Sequence, residues 1–315
     1  MKAIIINNFG GSEVLQEVEI PKPKPTAGRV LVNIAATSIN PIDWKIRQGH
    51  LQQMLKWNFP IVLGYDLAGV ISELGEGVMK WNVGDRVAAR KDTSAEGTYA
   101  EYTTVSEADL ALIPEEVSFE TAAATPLAGL TAWQALHDFA HIKPGQRILI
   151  HAGAGGVGMF AIQFAKLAGA YVITTASSVN ADMLYQLGAD EVIDYHTTDF
   201  STVATNIDIV IDAVGGETQQ KSLVTFREDG ARILLVLGMV AAETQSYADA
   251  HNITVSHIWM SPNGKQLAEI LELIRTEKVS VKIASTFPLT KDGVAQAHGL
   301  SESGHTAGKI VIQVA

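Results

Sequence analysis

The sequence predicts an α/β protein that joins a barrel-like β domain to a doubly wound parallel sheet. Three observations carry that prediction. Short β-branched runs broken by Gly turns fill the N-terminal third. Strand-like and helix-like runs alternate from Ser118 onward. One such alternation, at residues 147–175, contains the pattern Gly-x-Gly-x-x-Gly.

Taken in order, residues 2–7 read as a first strand, Gly10-Gly11 as a turn and 14–19 as an alternating strand. Pro21, Pro23 and Pro25 forbid helix and stiffen a connector. Residues 29–36 form a strong strand through Val30, Leu31, Val32 and Ile34. Pro41 biases Asn40 to an extended backbone, and Asp43 is the expected cap of a short helix near 44–47. Residues 66–74 and 97–104 supply further strands, with turns around Gly75-Glu76-Gly77 and Val83-Gly84-Asp85. Ser118 heads a helix, Pro126 interrupts it, and a second helix is expected over 130–139. Beyond Pro144-Gly145 and the glycine pattern lie a helix at 181–187, strands at 191–194 and 207–212, a helix at 218–226, a strand at 231–237 and a helix at 264–277. Residues 285–288 and 309–314 return to strand character around a helix at 292–300, a tail expected to rejoin the first domain. The expected division is therefore 1–120 with 285–315, and 121–284.

The glycine pattern has a physical reading. Ile148, Leu149 and Ile150 make a buried parallel strand. Ala152-Gly153-Ala154-Gly155-Gly156-Val157-Gly158 follows, then apolar residues at helical spacing (Val157, Phe160, Ala161, Phe164, Ala165, Ala168) and a second strand at 171–175. Gly153 is expected to make the tight turn, Gly155 to let a pyrophosphate approach the backbone, and Gly158 to let helix and strand pack closely. Free N–H groups and the helix dipole then favour two phosphates. The competing reading is a glycine-rich turn with no ligand. The placement between a strand and a helix, with the next strand about 20 residues on, argues against it.

Bulk properties exclude several classes. The chain has 315 residues, 47% hydrophobic and 18% charged, enough for two ordinary domains with large cores. A formal net charge of -11 speaks against a nucleic-acid partner. There is no cysteine, hence no disulfide and no thiolate metal site, which fits a reducing, cytoplasmic setting. Met1-Lys2-Ala3-Ile4-Ile5-Ile6 is broken too soon by Asn7-Asn8 to serve as a signal peptide. No apolar run of about eighteen residues suggests a membrane span, so no membrane partner is expected.

Several motifs together resemble the medium-chain dehydrogenase/reductase superfamily, and within it the zinc-free quinone oxidoreductase, zeta-crystallin-like branch. They are Ser38-Ile39-Asn40-Pro41-Ile42-Asp43, Gly64-Tyr65-Asp66-Leu67-Ala68-Gly69-Val70, Val83-Gly84-Asp85-Arg86-Val87, Gly129-Leu130-Thr131-Ala132-Trp133, the glycine loop, Leu187-Gly188-Ala189-Asp190 and Ala307-Gly308-Lys309. The resemblance implies a GroES-like catalytic β-barrel, a Rossmann cofactor domain and a homodimer joined through the Rossmann sheets. Zinc-dependent members hold their catalytic metal with Cys, His and Cys. The matching positions here are Asn40, Tyr65 and Leu127, none a usual zinc ligand, so no metal is expected. His137 and His141 stand four apart on one expected helix, but no third ligand is evident.

An NAD site places Asp or Glu at the end of the second strand. Here that end reads Thr174-Thr175-Ala176-Ser177-Ser178-Val179-Asn180, with no carboxylate before Asp182. Ser177, Ser178 and Asn180 offer donors to a 2′-phosphate, and Tyr195 matches the family's adenosine-side tyrosine, so NADPH is the expected cofactor. The alternative is that Ser177-Ser178 only cap the following helix. The resemblance further implies that Ala213-Val214-Gly215 passes the nicotinamide ribose, that Leu237-Gly238-Met239 presents backbone to the carboxamide, and that Lys309 either approaches a phosphate or stays a solvated charge. It sets Asn40, Tyr65 and Thr131 beside the nicotinamide, the first two as donors to an oxygen gaining charge. Their plainer readings are a turn residue before Pro41 and a half-buried aromatic. The expected activity is hydride transfer from NADPH to a quinone or an α,β-unsaturated carbonyl. Two alternatives are an enoyl-thioester reductase, which would need a cationic channel, and a nucleotide-sensing or nucleic-acid-binding module with little catalysis.

Overall fold

The computed structural model describes residues 1–314. It divides into two compact units, Met1–Leu130 with Pro262–Ala315, and Thr131–Ser261. The first unit contains β1 (Lys2–Ile6), β2 (Leu15–Glu19), β3 (Arg29–Ile39), α1 (Pro41–Arg47), β4 (Ile61–Val62), β5 (Asp66–Leu74), β6 (Arg86–Arg90), β7 (Tyr102–Ser106), β8 (Leu110–Leu112) and α2 (Phe119–Ala123). α3 (Pro126–Trp133) runs across the boundary. The second unit holds β9 (Arg147–Ile150), α4 (Gly156–Leu167), β10 (Tyr171–Ala176), α5 (Ala181–Gln186), β11 (Glu191–Asp194), β12 (Ile209–Asp212), α6 (Glu217–Ser222), β13 (Ile233–Val236), α7 (Ala242–Ala250) and β14 (Thr254–His257). The chain then returns to the first unit as α8 (Gly264–Arg275), β15 (Ile283–Pro288), α9 (Lys291–Glu302) and β16 (Lys309–Gln313).

The first unit is built on a seven-stranded sheet, β15-β16-β3-β5-β6-β8 with β7 also on β3, and a three-stranded sheet β2-β1-β4. β3 curves the larger sheet because it changes partners along its length. It pairs with β7 over Arg29–Asn33 and with β16 over Ala36–Ile39, with register shifts against β5 between. Its alternate residues Val30, Val32 and Ile34 pack with Leu67, Ile71, Val87 and Val105 in the interior. The second unit is a six-stranded, all-parallel sheet in the order β11-β10-β9-β12-β13-β14. Ile148, Leu149 and Ile150 are all buried, as a strand covered on both faces requires. This is the doubly wound order with its reversal between β9 and β12.

Several expectations shift. The division expected at 120 and 284 differs from the observed units, which take 121–130 and 262–284 into the first. α2 buries Ala122 and Ala123 there, and a Cβ on Gly264 at the start of α8 would meet Leu110 O at 2.2 Å. Pro126 opens α3 instead of interrupting a helix, because proline is tolerated in a first turn. Wide π turns over Gln134–Phe139 then replace the regular end of the expected second helix. Asn40, not Asp43, stands at the N-cap of α1; Asp43 reaches back from the first turn, and its Oδ2 accepts the Asn40 N–H at 2.8 Å. α7 and β14 carry no strong apolar periodicity and were not foreseen.

Gly69 shows how tightly β3 and β5 approach. A Cβ there would lie 2.1 Å from Asn33 O and 2.9 Å from Ile34 Cα, both immobile backbone atoms. Gly69→Ala is therefore expected to destabilise the protein by about 3 kcal/mol in urea unfolding, the upper range for overpacking. A loss below about 0.5 kcal/mol would contradict this packing.

Candidate active site

The second unit gathers most of the sequence-derived candidates at one end of its sheet. Ala152–Gly158 follows β9, Thr175–Asn180 ends and follows β10, and Tyr195 follows β11. Ala213–Gly215 follows β12 and Leu237–Met239 follows β13. All are C-terminal strand ends, where open parallel sheets bind ligands. Val179, Tyr195, Val214 and Met239 stand exposed there.

The glycine loop is a cradle in the physical sense. A Cβ on Gly153 would meet Thr174 Oγ1 at 2.0 Å, and one on Gly158 would meet Ala152 O at 2.4 Å. Gly155 has only Ala152 O, at 3.2 Å, so its outer side is open. Within the tight turn expected at Gly153, the left-handed residue is its neighbour Ala152, at φ 55. For alanine that conformation costs about 1 kcal/mol. Gly155 is the N-cap of α4 and supplies no side chain, so the first-turn N–H groups of Gly156, Val157 and Gly158 have no side-chain cap, with Ala154 leading into them. This set fits the pyrophosphate of a dinucleotide.

His151, which sequence reasoning missed, braces the cradle from below. The Ser222 hydroxyl donates to Thr218 O at 2.7 Å, so it accepts from His151 Nε2–H at 2.9 Å. Nδ1 then accepts from Thr175 Oγ1 at 3.0 Å. Burial drives the His151 pKa down to about 4, so the ring is neutral. Thr175 therefore turns its side chain inward and offers its carbonyl, which accepts Gly153 N–H at 3.1 Å. Gln219, also missed, is fully buried and donates to Met239 O at 2.9 Å, fixing the loop after β13. Asp212 Oδ1 accepts from Val214 N at 2.9 Å and Gly215 N at 3.1 Å, fixing the loop after β12.

In the loop after β10, neither Ser177 nor Asn180 spends its side chain on a helix cap. Ser178 is different. It bonds to the carboxylate of Asp194, which the His196 N–H and Ser178 hold below the usual carboxylate range. Asp194 sits at the end of β11, so scanning the end of β10 alone does not reveal it. Beside Tyr195 lies a cavity of about 390 Å³ lined by His196, Phe200, Glu217 and Lys221 among others. Lys221 Nζ is held there by Asp199 at 3.0 Å and Glu217 at 3.1 Å.

The first unit brings Asn40 and Lys309 together, with Asp66 between them in charge. Asp66 is fully buried; its Oδ2 accepts from Asn40 Nδ2 at 2.7 Å and Ser38 Oγ at 2.9 Å, and its Oδ1 from Leu127 N at 3.0 Å. Lys309 Nζ donates to Ile39 O at 3.0 Å and to Asn40 Oδ1, and lies 3.9 Å from Asp66 Oδ2. Lys309 is thus neither solvated nor free to meet a phosphate: it is 4% exposed, and burial lowers its pKa. An ammonium only donates and a carboxylate only accepts, so these two neighbours dictate which end of the Asn40 amide is which. Reversing it would forfeit two charge-assisted bonds of about 1.5–3 kcal/mol each.

Tyr65 is wholly buried, not half-buried as the plain reading had it. The Arg90 guanidinium stacks 5.0 Å from its ring centroid, and its hydroxyl has no hydrogen-bond partner. Burial raises its pKa well above the phenol range, leaving a neutral donor in a dry setting. Thr131 is buried near the end of α3 and begins the second unit. Zinc does not fit the first-unit positions. Asn40 Oδ1 already faces an ammonium, Tyr65 lies under a guanidinium, and Leu127 is an alkyl group. Among the described residues no cluster of three or more His, Cys, Asp or Glu is placed to hold a metal ion, and His141 Nδ1 is bonded to the His137 carbonyl at 2.8 Å.

A second buried chain runs behind α1. Arg47 Nη1 donates to His298 Nδ1 at 2.9 Å, so Nε2 carries the proton toward Tyr99 OH at 3.1 Å. Tyr99 donates to Asp43 Oδ2 at 2.9 Å, while Asp43 Oδ1 has no partner. Burial raises Asp43 from 3.8 to about 7 and, with the Arg47 charge, lowers His298 to about 3. These residues lie far apart in sequence, and no local pattern marks them.

A carboxyl with a raised folded pKa stabilises the fold only while protonated, so its contribution is complete below pH 3.8 and is lost as pH climbs through about 7. Asp43→Asn keeps the acceptor without the charge. Its stability relative to wild type is expected to rise across that window by up to about 1.4 kcal/mol per pH unit. His298 slopes the other way, since its lowered pKa adds stability as pH rises from about 3 to 6.5, but it does so in both proteins and cancels in the difference. Urea unfolding at matched pH values measures this; a difference that stays flat contradicts it.

Comparison with known proteins accords with this geometry. Residues 26–115 match the family model of the alcohol dehydrogenase GroES-like domain, and residues 187–312 that of the zinc-binding dehydrogenases. The chloroplast envelope quinone oxidoreductase homolog of Arabidopsis thaliana is 35% identical over 99% of this chain and 98% of its own. The quinone oxidoreductase structure from Coxiella burnetii superposes with a TM-score of 0.93 at 38% identity, over 100% of this chain and 99% of the other. The Escherichia coli quinone oxidoreductase, solved in complex with NADPH, gives 0.89 at 29%, over 99% and 100%. With an apolar and amide-bearing set where zinc-dependent members carry their metal ligands, the chain belongs to the medium-chain dehydrogenase/reductase superfamily, in its zinc-free quinone oxidoreductase branch.

Proposed function

We propose that the protein is an NADPH-dependent oxidoreductase that reduces quinones or α,β-unsaturated carbonyls without a metal. The observation that carries the reading is the uncapped, side-chain-free N-terminus of α4 at the C-terminal end of a parallel sheet. When bound, NADPH supplies a hydride from the nicotinamide C4. The acceptor gains that hydride at an electron-poor carbon or oxygen, and its π electrons move to the carbonyl oxygen. One proton from water completes the quinol or saturated carbonyl, so no side chain is assigned as the acid.

The chain's own residues bind, orient and stabilise. The N–H groups of Gly156, Val157 and Gly158 hold the pyrophosphate, with Ala152, Gly153, Ala154 and Gly155, whose own N–H donates to Ala152 O, shaping the loop. Ser177 and Asn180 donate to the 2′-phosphate, and Tyr195 covers the adenosine. Ser178 supports that loop through Asp194. Ala213–Gly215 lies along the nicotinamide ribose, and Leu237, Gly238 and Met239 offer backbone to the carboxamide. Thr131 holds the carboxamide or ribose. Asn40 and Tyr65 donate to the acceptor oxygen as it gains charge, and the unpartnered Tyr65 hydroxyl supports that role.

A homodimer and a cytoplasmic location complete the reading. β14 ends the parallel sheet and pairs only with β13 among the described residues, an edge suited to pairing with a second copy. No helix among the described residues is long and apolar enough to cross a membrane.

Stopped-flow oxidation of NADPH by 1,4-benzoquinone, 9,10-phenanthrenequinone and small enones tests the activity, and the same assay with NADH tests the cofactor. Turnover is expected with a preference for NADPH; a preference for NADH overturns the cofactor assignment, and cofactor binding without turnover favours a sensor. Tyr65→Phe is expected to lower kcat on the order of 100-fold with NADPH binding unchanged. An unaltered kcat removes Tyr65 from the reacting centre.

A further inference from the structure

We propose that Lys309 is a positioning residue: its buried ammonium holds the Asn40 carboxamide in one orientation and strengthens its N–H as the donor presented to the acceptor oxygen. The inference rests on the reading of Asn40 given above and adds a residue that reaches the acceptor through it.

Three observations support it. Lys309 Nζ bonds to Asn40 Oδ1 and Ile39 O, and so grips both the side chain and the strand end that carries it. At the amide's other end, Asp66 Oδ2 takes one Asn40 Nδ2 hydrogen at 2.7 Å. An Nδ2 group has two hydrogens, so one remains for a ligand. A cation on the oxygen draws electron density along the amide, which makes that remaining N–H a better donor. The arrangement is also costly to maintain. Lys309 and Asp66 are both buried, and a buried pair of this kind stabilises little beyond what apolar side chains would. Asp66 does not depend on Lys309 for hydrogen bonds, since Ser38, Asn40 and the Leu127 N–H already supply three. What Lys309 adds is a cationic donor on the Asn40 oxygen.

The experiment is a double-mutant cycle on the full-length enzyme, read as kcat, acceptor KM and NADPH Kd. Asn40→Ala comes first. If it leaves kcat unchanged, the Asn40 reading fails and the Lys309 inference fails with it. If Asn40→Ala lowers kcat, Lys309→Met is expected to lower it on the order of 10- to 100-fold, with KM and NADPH Kd nearly constant. Lys309→Gln, which keeps an N–H donor to Asn40 Oδ1, is expected to fall between Lys309→Met and wild type. In the Asn40→Ala background, Lys309→Met is expected to cost less than about twofold further in kcat, because the amide it orients is missing. A Lys309→Met enzyme within twofold of wild type, or a loss that multiplies in full with Asn40→Ala, overturns the inference while leaving Asn40 in place. Should Lys309→Met fail to fold, Lys309→Gln is read in the same cycle with the same two outcomes.

Discussion

The absence of side chains at Gly153 and Gly158 is the constraint on which the second unit depends. With a Cβ at either position, the loop would collide with Thr174 or with the carbonyl of Ala152. Without them, α4 begins just after the end of β9, and no side chain caps its first turn. Unpaired backbone donors are tolerated where water or a ligand reaches them. The chain adds local strain to hold this shape, since Ala152 adopts a left-handed backbone that alanine disfavours. His151 and Gln219 then tie the neighbouring loops to that fixed point by hydrogen bonds made entirely inside the unit. A helix dipole aimed at open solvent over a rigid loop is a site for a doubly charged anion, and the other strand-end loops add surface for the rest of a dinucleotide.

The first unit solves a different problem, which is how to keep polar chemistry dry without a metal. It carries two buried networks on either side of Asn40. One holds the side chain through Asp66 and Lys309; the other holds the backbone N–H through Asp43, Tyr99, His298 and Arg47. Asn40 is thereby fixed at both its main chain and its amide. The cost is visible in Asp43 Oδ1, Tyr65 OH and Arg90 Nε, which are buried without partners. Each such atom forgoes about 1–3 kcal/mol of hydrogen bonding. A fold retains unpaired groups of this kind where a position, more than stability, is at stake.

What the sequence made legible was local. The strand-glycine-helix order, the alternation of elements after Ser118 and the residue types at Asn40, Tyr65 and Leu127 all lie within short windows, where periodicity and residue chemistry act directly. What it hid was non-local. Lys309 reads as a surface charge until β16 pairs with β3 and turns it beneath Asn40. Asp194 lies on a different strand from the serine it engages, and only the β10–β11 pairing brings them together. α7 and β14 lack apolar periodicity because one is a surface helix and the other an edge strand with half-exposed residues. The division between units departs from the expected one because α8 follows the second sheet in sequence yet buries Leu267, Ile270 and Leu271 in the first unit.

We propose that amide, phenol and ammonium groups take the place of a metal as this chain passes a hydride from a reduced nicotinamide to a conjugated acceptor. Isotope transfer tests it most directly. Chelator-treated protein is incubated with NADPH deuterated at the transferring C4 position and an enone, and the product is read by mass spectrometry and NMR. One deuterium is expected at the β-carbon, at a rate unaffected by the chelator. Product formed without the label, or a rate lost on chelation and restored by zinc, would contradict it.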